Sequence, residues 1–164
     1  MPHWRGGLTA GIWQSATLEF NQSAWIKHAF YKPKIKDSAF ELDLKLRCNE
    51  TTSQVAILKI DVCDNKGESV YQNKQSFQLQ EGDIQLEHTI VLQDAKLWTC
   101  DSPHLYTAQA RILLNGKEIA KSIERIGLRE FTYENERFYL NGEGIYLRGG
   151  FWEGVYAKHQ SYPE

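Results

Sequence analysis

Twenty-one Asp and Glu residues make paired carboxylates the first chemistry to look for in this chain. Two carboxyl groups about 5–9.5 Å apart suffice to hydrolyse an acetal, one as acid and the other as base or nucleophile. The sequence does not single out such a pair. Glu41, Asp43, Asp61, Glu118 and Glu124 alternate with apolar neighbours, which sets them on the solvent faces of strands. No residue is therefore assigned a catalytic role. His88 and His104 also fall in strand patterns and read as surface or half-buried imidazoles. Neither His-x-His nor His-Glu-x-x-His spacing occurs, so no metal site is expected. Cys48, Cys63 and Cys100 are an odd number without ligand spacing and read as packing thiols. Cys48 continues an apolar alternation while Cys63 falls on a polar one, which argues against a bridge between them. A Gly-x-Ser-x-Gly elbow and a phosphate loop are both missing, and no cofactor is implied.

Five Trp, eight Tyr and seven Phe are a rich aromatic supply. Flat rings can stack on the apolar face of a sugar, but Trp13, Trp25, Trp98 and Trp152 are scattered; the first three read mainly as packing residues, and Trp152 stands evenly between packing and a functional role. The formal net charge of −2 argues against a protein built to neutralise nucleic-acid phosphates or to sit on an anionic membrane. No apolar run approaches the ~18 residues a membrane helix needs. Met1-Pro2-His3-Trp4-Arg5-Gly6-Gly7 lacks the basic-then-apolar order of a secretory signal. Both ends are abrupt, so the chain reads as a piece of a longer one.

The elements that must position these residues are strands. Residues 39–48 alternate apolar and charged with period two, the pattern of a strand with one face in a core. Residues 55–63 follow, then a turn at Asp64-Asn65-Lys66-Gly67. Residues 69–79 are more polar and fit an edge. Ile84, Leu86, His88, Ile90 and Leu92 form another stripe. Residues 105–114 and 117–126 flank Asn115-Gly116, a strong hairpin signal. Upstream, 11–20 and 25–31 read as strands. Downstream come 131–133, 138–140 and 145–147, with Asn141-Gly142 as a turn between the last two. No window has helical apolar spacing. About seven strands in about 100 residues predict an all-β, immunoglobulin-like antiparallel β-sandwich over 23–130.

The last third carries ordered motifs. Leu97-Trp98-Thr99-Cys100-Asp101-Ser102-Pro103-His104-Leu105-Tyr106 fits Leu-Trp-x-x-Asp-x-Pro-x-Leu-Tyr. Ile126-Gly127-Leu128-Arg129 follows, then Phe138-Tyr139-Leu140-Asn141-Gly142 and Ile145-Tyr146-Leu147-Arg148-Gly149. In that order the chain resembles glycoside hydrolase family 2, the β-galactosidases, β-glucuronidases and β-mannosidases. Gly11-Ile12-Trp13-Gln14-Ser15-Ala16-Thr17-Leu18-Glu19 is similar to that family as well.

The resemblance implies three parts. Residues 1–22 would end a jelly-roll sugar-binding domain. Residues 23–130 would be a non-catalytic sandwich. Residues 131–164 would be a linker and the first strand, Ile145–Arg148, of a truncated (β/α)₈ barrel. The intact enzyme would hydrolyse β-galactosides, glucuronides or mannosides with retention, using two Glu beyond Glu164. Asn49-Glu50 would not be its catalytic dipeptide, because it ends a sandwich strand. In place of the family's Arg-Gly-x-Asn the chain reads Arg148-Gly149-Gly150-Phe151-Trp152-Glu153, with His159 further on. Arg148 and Trp152 are the candidate substrate-binding residues, acting in the intact enzyme. Its partners would be carbohydrate and the neighbouring jelly-roll and barrel domains, not nucleic acid or membrane. Former interface around Trp13, Tyr146, Phe151 and Trp152 would favour self-association. A stand-alone carbohydrate-binding or protein-binding sandwich is the alternative.

Overall fold

The computed structural model describes residues 12, 15–18, 20, 23–49, 51 and 53–150. The chain divides into two units, Met1–Phe20 with Leu147–Glu164, and Asn21–Tyr146. Among the described residues, every strand lies in the second unit.

Among the described residues ten strands run β1 (Ala24–Lys34), β2 (Ala39–Cys48), β3 (Gln54–Cys63), β4 (Ser69–Leu79), β5 (Gly82–Val91), β6 (Tyr106–Leu114), β7 (Lys117–Ile126), β8 (Phe131–Glu134), β9 (Arg137–Leu140) and β10 (Glu143–Ile145). A 3₁₀ turn at Ile35–Asp37 joins β1 to β2. The first seven strands form two antiparallel sheets, ordered β1-β2-β5 and β4-β3-β6-β7. This is the immunoglobulin-like sandwich that the alternation predicts. Strand β4, expected at an edge, is one. Among the described residues no helix is long and apolar enough to cross a membrane.

The core follows from period-two patterning. Phe40, Leu42, Leu44, Leu46 and Cys48 of β2 are all buried. Ala56, Leu58, Ile60 and Val62 of β3 and Ala108, Ala110 and Ile112 of β6 are buried too, and all belong to one cluster. Each such Leu or Ile contributes about 1.5–3 kcal/mol of hydrophobic stabilisation. The rings of Phe40 and Tyr106 meet edge-on at 6.3 Å. Two cysteines stand where parity sets them: Cys48 is in the core and Cys63 is half-buried beside a bulge at Val62/Cys63. Cys100 is exposed.

The edges are marked. Strand β1 contains Pro33, which gives no ladder donor and is tolerated at an edge. Edge strand β7 sets Ser122 and Glu124 opposite the buried Ala110 and Ala108, so Glu124, expected on a solvent face, is on the inward parity instead and stays exposed only because it stands at the edge.

Asn115-Gly116 and Asn141-Gly142 both adopt positive φ at both residues, as a two-residue hairpin turn matched to strand twist requires. The same geometry joins β8 to β9 at Asn135-Glu136, with φ of 48° and 62°. Strands β8, β9 and β10 form a separate antiparallel meander. One expectation is corrected here. The short strand placed at 145–147 is realised at Glu143–Ile145, and 146–150 carry no strand. The tight Asn141-Gly142 turn makes pairing start at Glu143 opposite Leu140, so the ladder is used up by Ile145 opposite Phe138.

Candidate functional site

The motifs of the last third converge on Trp98. Its backbone N–H donates to the carbonyl of Leu128 at 2.9 Å, beside a parallel bridge between Leu97 and Leu128. The Arg129 guanidinium lies over the indole, 4.4 Å from the ring centroid, a cation–π contact. Gly127 is required by close packing. A Cβ there would lie 3.2 Å from Leu105 Cδ2 and 3.4 Å from Trp98 Cβ. The Asn141 side chain donates to the Trp98 carbonyl at 2.9 Å and accepts from the Glu130 backbone N–H at 2.9 Å. The Asn141 backbone N–H donates back to the Glu130 carbonyl at 2.8 Å.

The rest of the motif closes its own loop. The Ser102 N–H donates to Thr99 Oγ1 at 2.9 Å, and the Thr99 N–H to the Ser102 carbonyl at 3.0 Å. The Lys96 N–H donates to the Tyr106 hydroxyl at 2.8 Å, and the His104 ring meets Tyr106 edge-on at 4.8 Å. These groups spend their hydrogen bonds on one another. The arrangement fixes the meander against one end of the sandwich.

Several carboxylates are engaged in structure. Glu41 pairs with Lys34 at 3.1 Å, and Asp83 with Lys27 and Arg47 at 3.4 and 3.5 Å. Asp43 accepts from Gln85 at 3.1 Å, and Glu124 from Ser122 at 3.1 Å. Asp64 Oδ1 caps its turn by accepting from the N–H groups of Lys66 and Glu68, each at 2.9 Å. Asp61 departs from the expectation of a solvated carboxylate. It is on the outer face of β3, as parity requires, yet it is only 8% exposed. Arg111 Nη2 donates to its Oδ2, and Lys59 Nζ lies 3.4 Å from its Oδ1. The long stems of Arg111 and Lys59 cover it. The pairing spans 50 residues and leaves no local sequence signal.

Two polar features mark the seams between the sheets. At the β4/β5 seam, His88 Nε2 is 2.7 Å from the Tyr71 hydroxyl and Nδ1 is 3.3 Å from Gln75 Oε1. Burial lowers the His88 pKa below its ordinary value. Burial raises that of Tyr71, with a hydrogen bond to Asn73 pulling the other way. A hollow of about 420 Å³ lies at the β1/β7 seam, lined in part by Tyr31, Glu124, Arg125, Arg129 and Phe131. The Tyr31 hydroxyl is buried there without a hydrogen-bond partner. Burial, then the nearby Glu124 carboxylate, pushes its pKa up.

Of the expected substrate-binding pair, Arg148 is exposed in the non-strand stretch after β10, and Trp152 lies outside the described residues. So do Trp13, Glu50, Phe151, Glu153 and His159. Trp25 and Trp98 are half-buried. Among the described residues, no group of three His, Cys, Asp or Glu is placed to hold a metal ion.

Comparisons with known proteins follow this geometry. Residues 24–129 match the model of the family described as Glycosyl hydrolases family 2. A β-galactosidase from Thermoanaerobacterium thermosulfurigenes is 27% identical over 157 residues, 93% of this chain and 21% of that protein. A β-glucuronidase from Streptococcus agalactiae is 29% identical over 111 residues, 68% of this chain and 16% of that protein. A solved glycosyl hydrolase family 2 member from Bacteroides cellulosilyticus superposes with a TM-score of 0.71 at 24% identity, over 79% of this chain and 18% of that one. The chain thus matches between about a sixth and a fifth of the length of each.

Proposed function

The chain belongs to glycosyl hydrolases family 2, and from that premise we propose that it is the non-catalytic immunoglobulin-like scaffold of a β-glycoside hydrolase. The supporting observation is the Trp98 corner. The residues that carry the family pattern hold one another, through Leu128, Arg129, Gly127 and Asn141, rather than presenting a reactive group. Their work is to set the angle at which the chain leaves the sandwich.

In this reading 1–22 ends a jelly-roll domain, 23–130 is the scaffold, and 131–164 leads into a (β/α)₈ barrel. The complete enzyme cleaves galactosides, glucuronides or mannosides with retention, through a covalent intermediate formed by one of two Glu beyond residue 164. Arg148 and Trp152 then stand near the substrate. The neighbouring domains are this unit's partners, and carbohydrate is the substrate of the whole. Outside its natural setting, the unit self-associates through the surface those domains would cover.

A paired hydrolysis assay tests this. The 164-residue chain and a gene product extended through a barrel are compared on chromogenic β-glycosides. Turnover by the long product alone is expected, and the sugar it accepts names the specificity. Turnover by the short chain, free of contaminants, would overturn the scaffold assignment. In the long product, Arg148→Lys and Trp152→Ala should each lower kcat/KM without lowering Tm. Unchanged kcat/KM in both would remove them from the substrate site.

A further inference from the structure

Sheet register places four cations in one row. Lys74 of β4 is opposite Lys59 of β3, Lys59 is opposite Arg111 of β6, and Arg111 is opposite Lys121 of β7. All four alternate with core-facing neighbours and so share the outer face of the four-stranded sheet. With strands about 4.8 Å apart, the row is about 14 Å long. Like charges directly opposite each other on a sheet are destabilising. Two carboxylates are bound into the row, Asp61 through Arg111 and Lys59, and Glu118 through Lys121 at 4.0 Å. Four cations against two carboxylates still leave a positive stripe on a chain whose formal net charge is −2.

A second observation points outward from the same row. Arg111 Nε is buried with no hydrogen-bond partner. An unsatisfied buried donor is costly. An external anion that draws the Nε edge outward while Nη2 stays on Asp61 would relieve that cost. We propose that this row binds an acidic glycan, one carrying a carboxylate or sulfate on successive sugars. Such a chain, lying across the strands, presents its anions at a repeat comparable to the strand spacing. The neighbouring register positions suit its hydroxyl groups: Gln72 and Gln109 flank Asp61 across the sheet, and Ser76 follows Lys74 on its face. Single-stranded nucleic acid fits less well, because its affinity for protein relies on aromatic platforms for base stacking, and the row and its flanking register positions hold none. This inference rests on the family assignment for its choice of a sugar polymer, and it adds a binding surface on the scaffold, away from the reaction.

The test uses the 164-residue chain and affinity electrophoresis. The probes are oligogalacturonate, a neutral oligosaccharide of equal length, polyglutamate, and a single-stranded thymidine oligonucleotide. Oligogalacturonate should bind best, with affinity falling as salt rises. Lys74→Gln and Lys121→Gln lie at the ends of the row and leave the Asp61 pairing intact. Each should weaken binding about 2–5-fold, the effect of one exposed charge pair, with an unchanged melting curve. Equal binding of the neutral sugar, equal or tighter binding of polyglutamate or the oligonucleotide, or unchanged affinity in both variants would overturn the proposal. The hydrolysis assay on the extended gene product is a separate readout, so failure of the family-based function and failure of this surface are told apart.

Discussion

The side-chain amide of Asn141 reaches back 43 residues to donate to the carbonyl of Trp98. The same side chain accepts from the Glu130 N–H, so one residue ties the meander to the loop that precedes β6. Asn141 also sits at φ 54°, a left-handed conformation that Asn tolerates better than most residues.

Asn141→Gly separates these two contributions, because glycine keeps the backbone freedom and loses both side-chain hydrogen bonds. It should cost about 2 kcal/mol, roughly 1 per bond. Asn141→Ala should cost more, since the left-handed turn is then strained as well. Urea unfolding of the two variants checks the order. Equal losses would show that backbone conformation contributes nothing here.

Asp61 holds together two of the four cations in its row. Asp61→Asn removes the charge and keeps the shape, leaving Lys59 and Arg111 opposed. A fully buried pair costs 3–5 kcal/mol to break, and the partial exposure of this one reduces that to about 2 kcal/mol. The expected signature is a loss that shrinks at high salt, read from urea midpoints with and without added sodium chloride.

His88 makes stability depend on pH. Its folded pKa is held below the ordinary 6.5 by burial, while the unfolded chain titrates near 6.5. Below about pH 6.5 the unfolded state takes up a proton that the folded state resists, so stability present above that value is lost as pH falls. His88→Gln should flatten this slope in unfolding curves measured on either side of pH 6.5. A slope unaltered by the substitution would assign the effect to other groups.

Glu136 occupies a left-handed position, at φ 62°, in the turn between β8 and β9. A side chain with a Cβ is strained there by about 1–2 kcal/mol, partly offset by the extra freedom glycine has when unfolded. Glu136→Gly should therefore raise stability by about 0.5–1 kcal/mol and increase amide-exchange protection in β8 and β9.

The strands of the sandwich were legible because one face is apolar and the other is not. In β2, charges on one parity and Phe40, Leu42, Leu44 and Leu46 on the other leave a single register in which the core closes. Asn115-Gly116 and Asn141-Gly142 announced their turns because few other residues take positive φ at low cost. The start of β10 was misplaced because Ile145, Tyr146 and Leu147 look like a strand, whereas the turn length decides where the ladder begins. Parity also set Asp61 on the correct face, but its cover comes from Arg111, 50 residues away. The string Leu97–Tyr106 was visible as a motif. That its Trp is gripped by Asn141 and Arg129 is a tertiary fact, invisible until the meander is folded.

Pro33 on one edge and Glu124, an exposed carboxylate on the inward parity of another, bear on how copies of this molecule meet. An arriving strand would find a missing donor beside Pro33, and at β7 it would have to dehydrate a carboxylate to complete the ladder. The two sheets are thus finished at three and four strands. Addition of a further strand, and with it growth into a continuous fibril, is discouraged at these two margins.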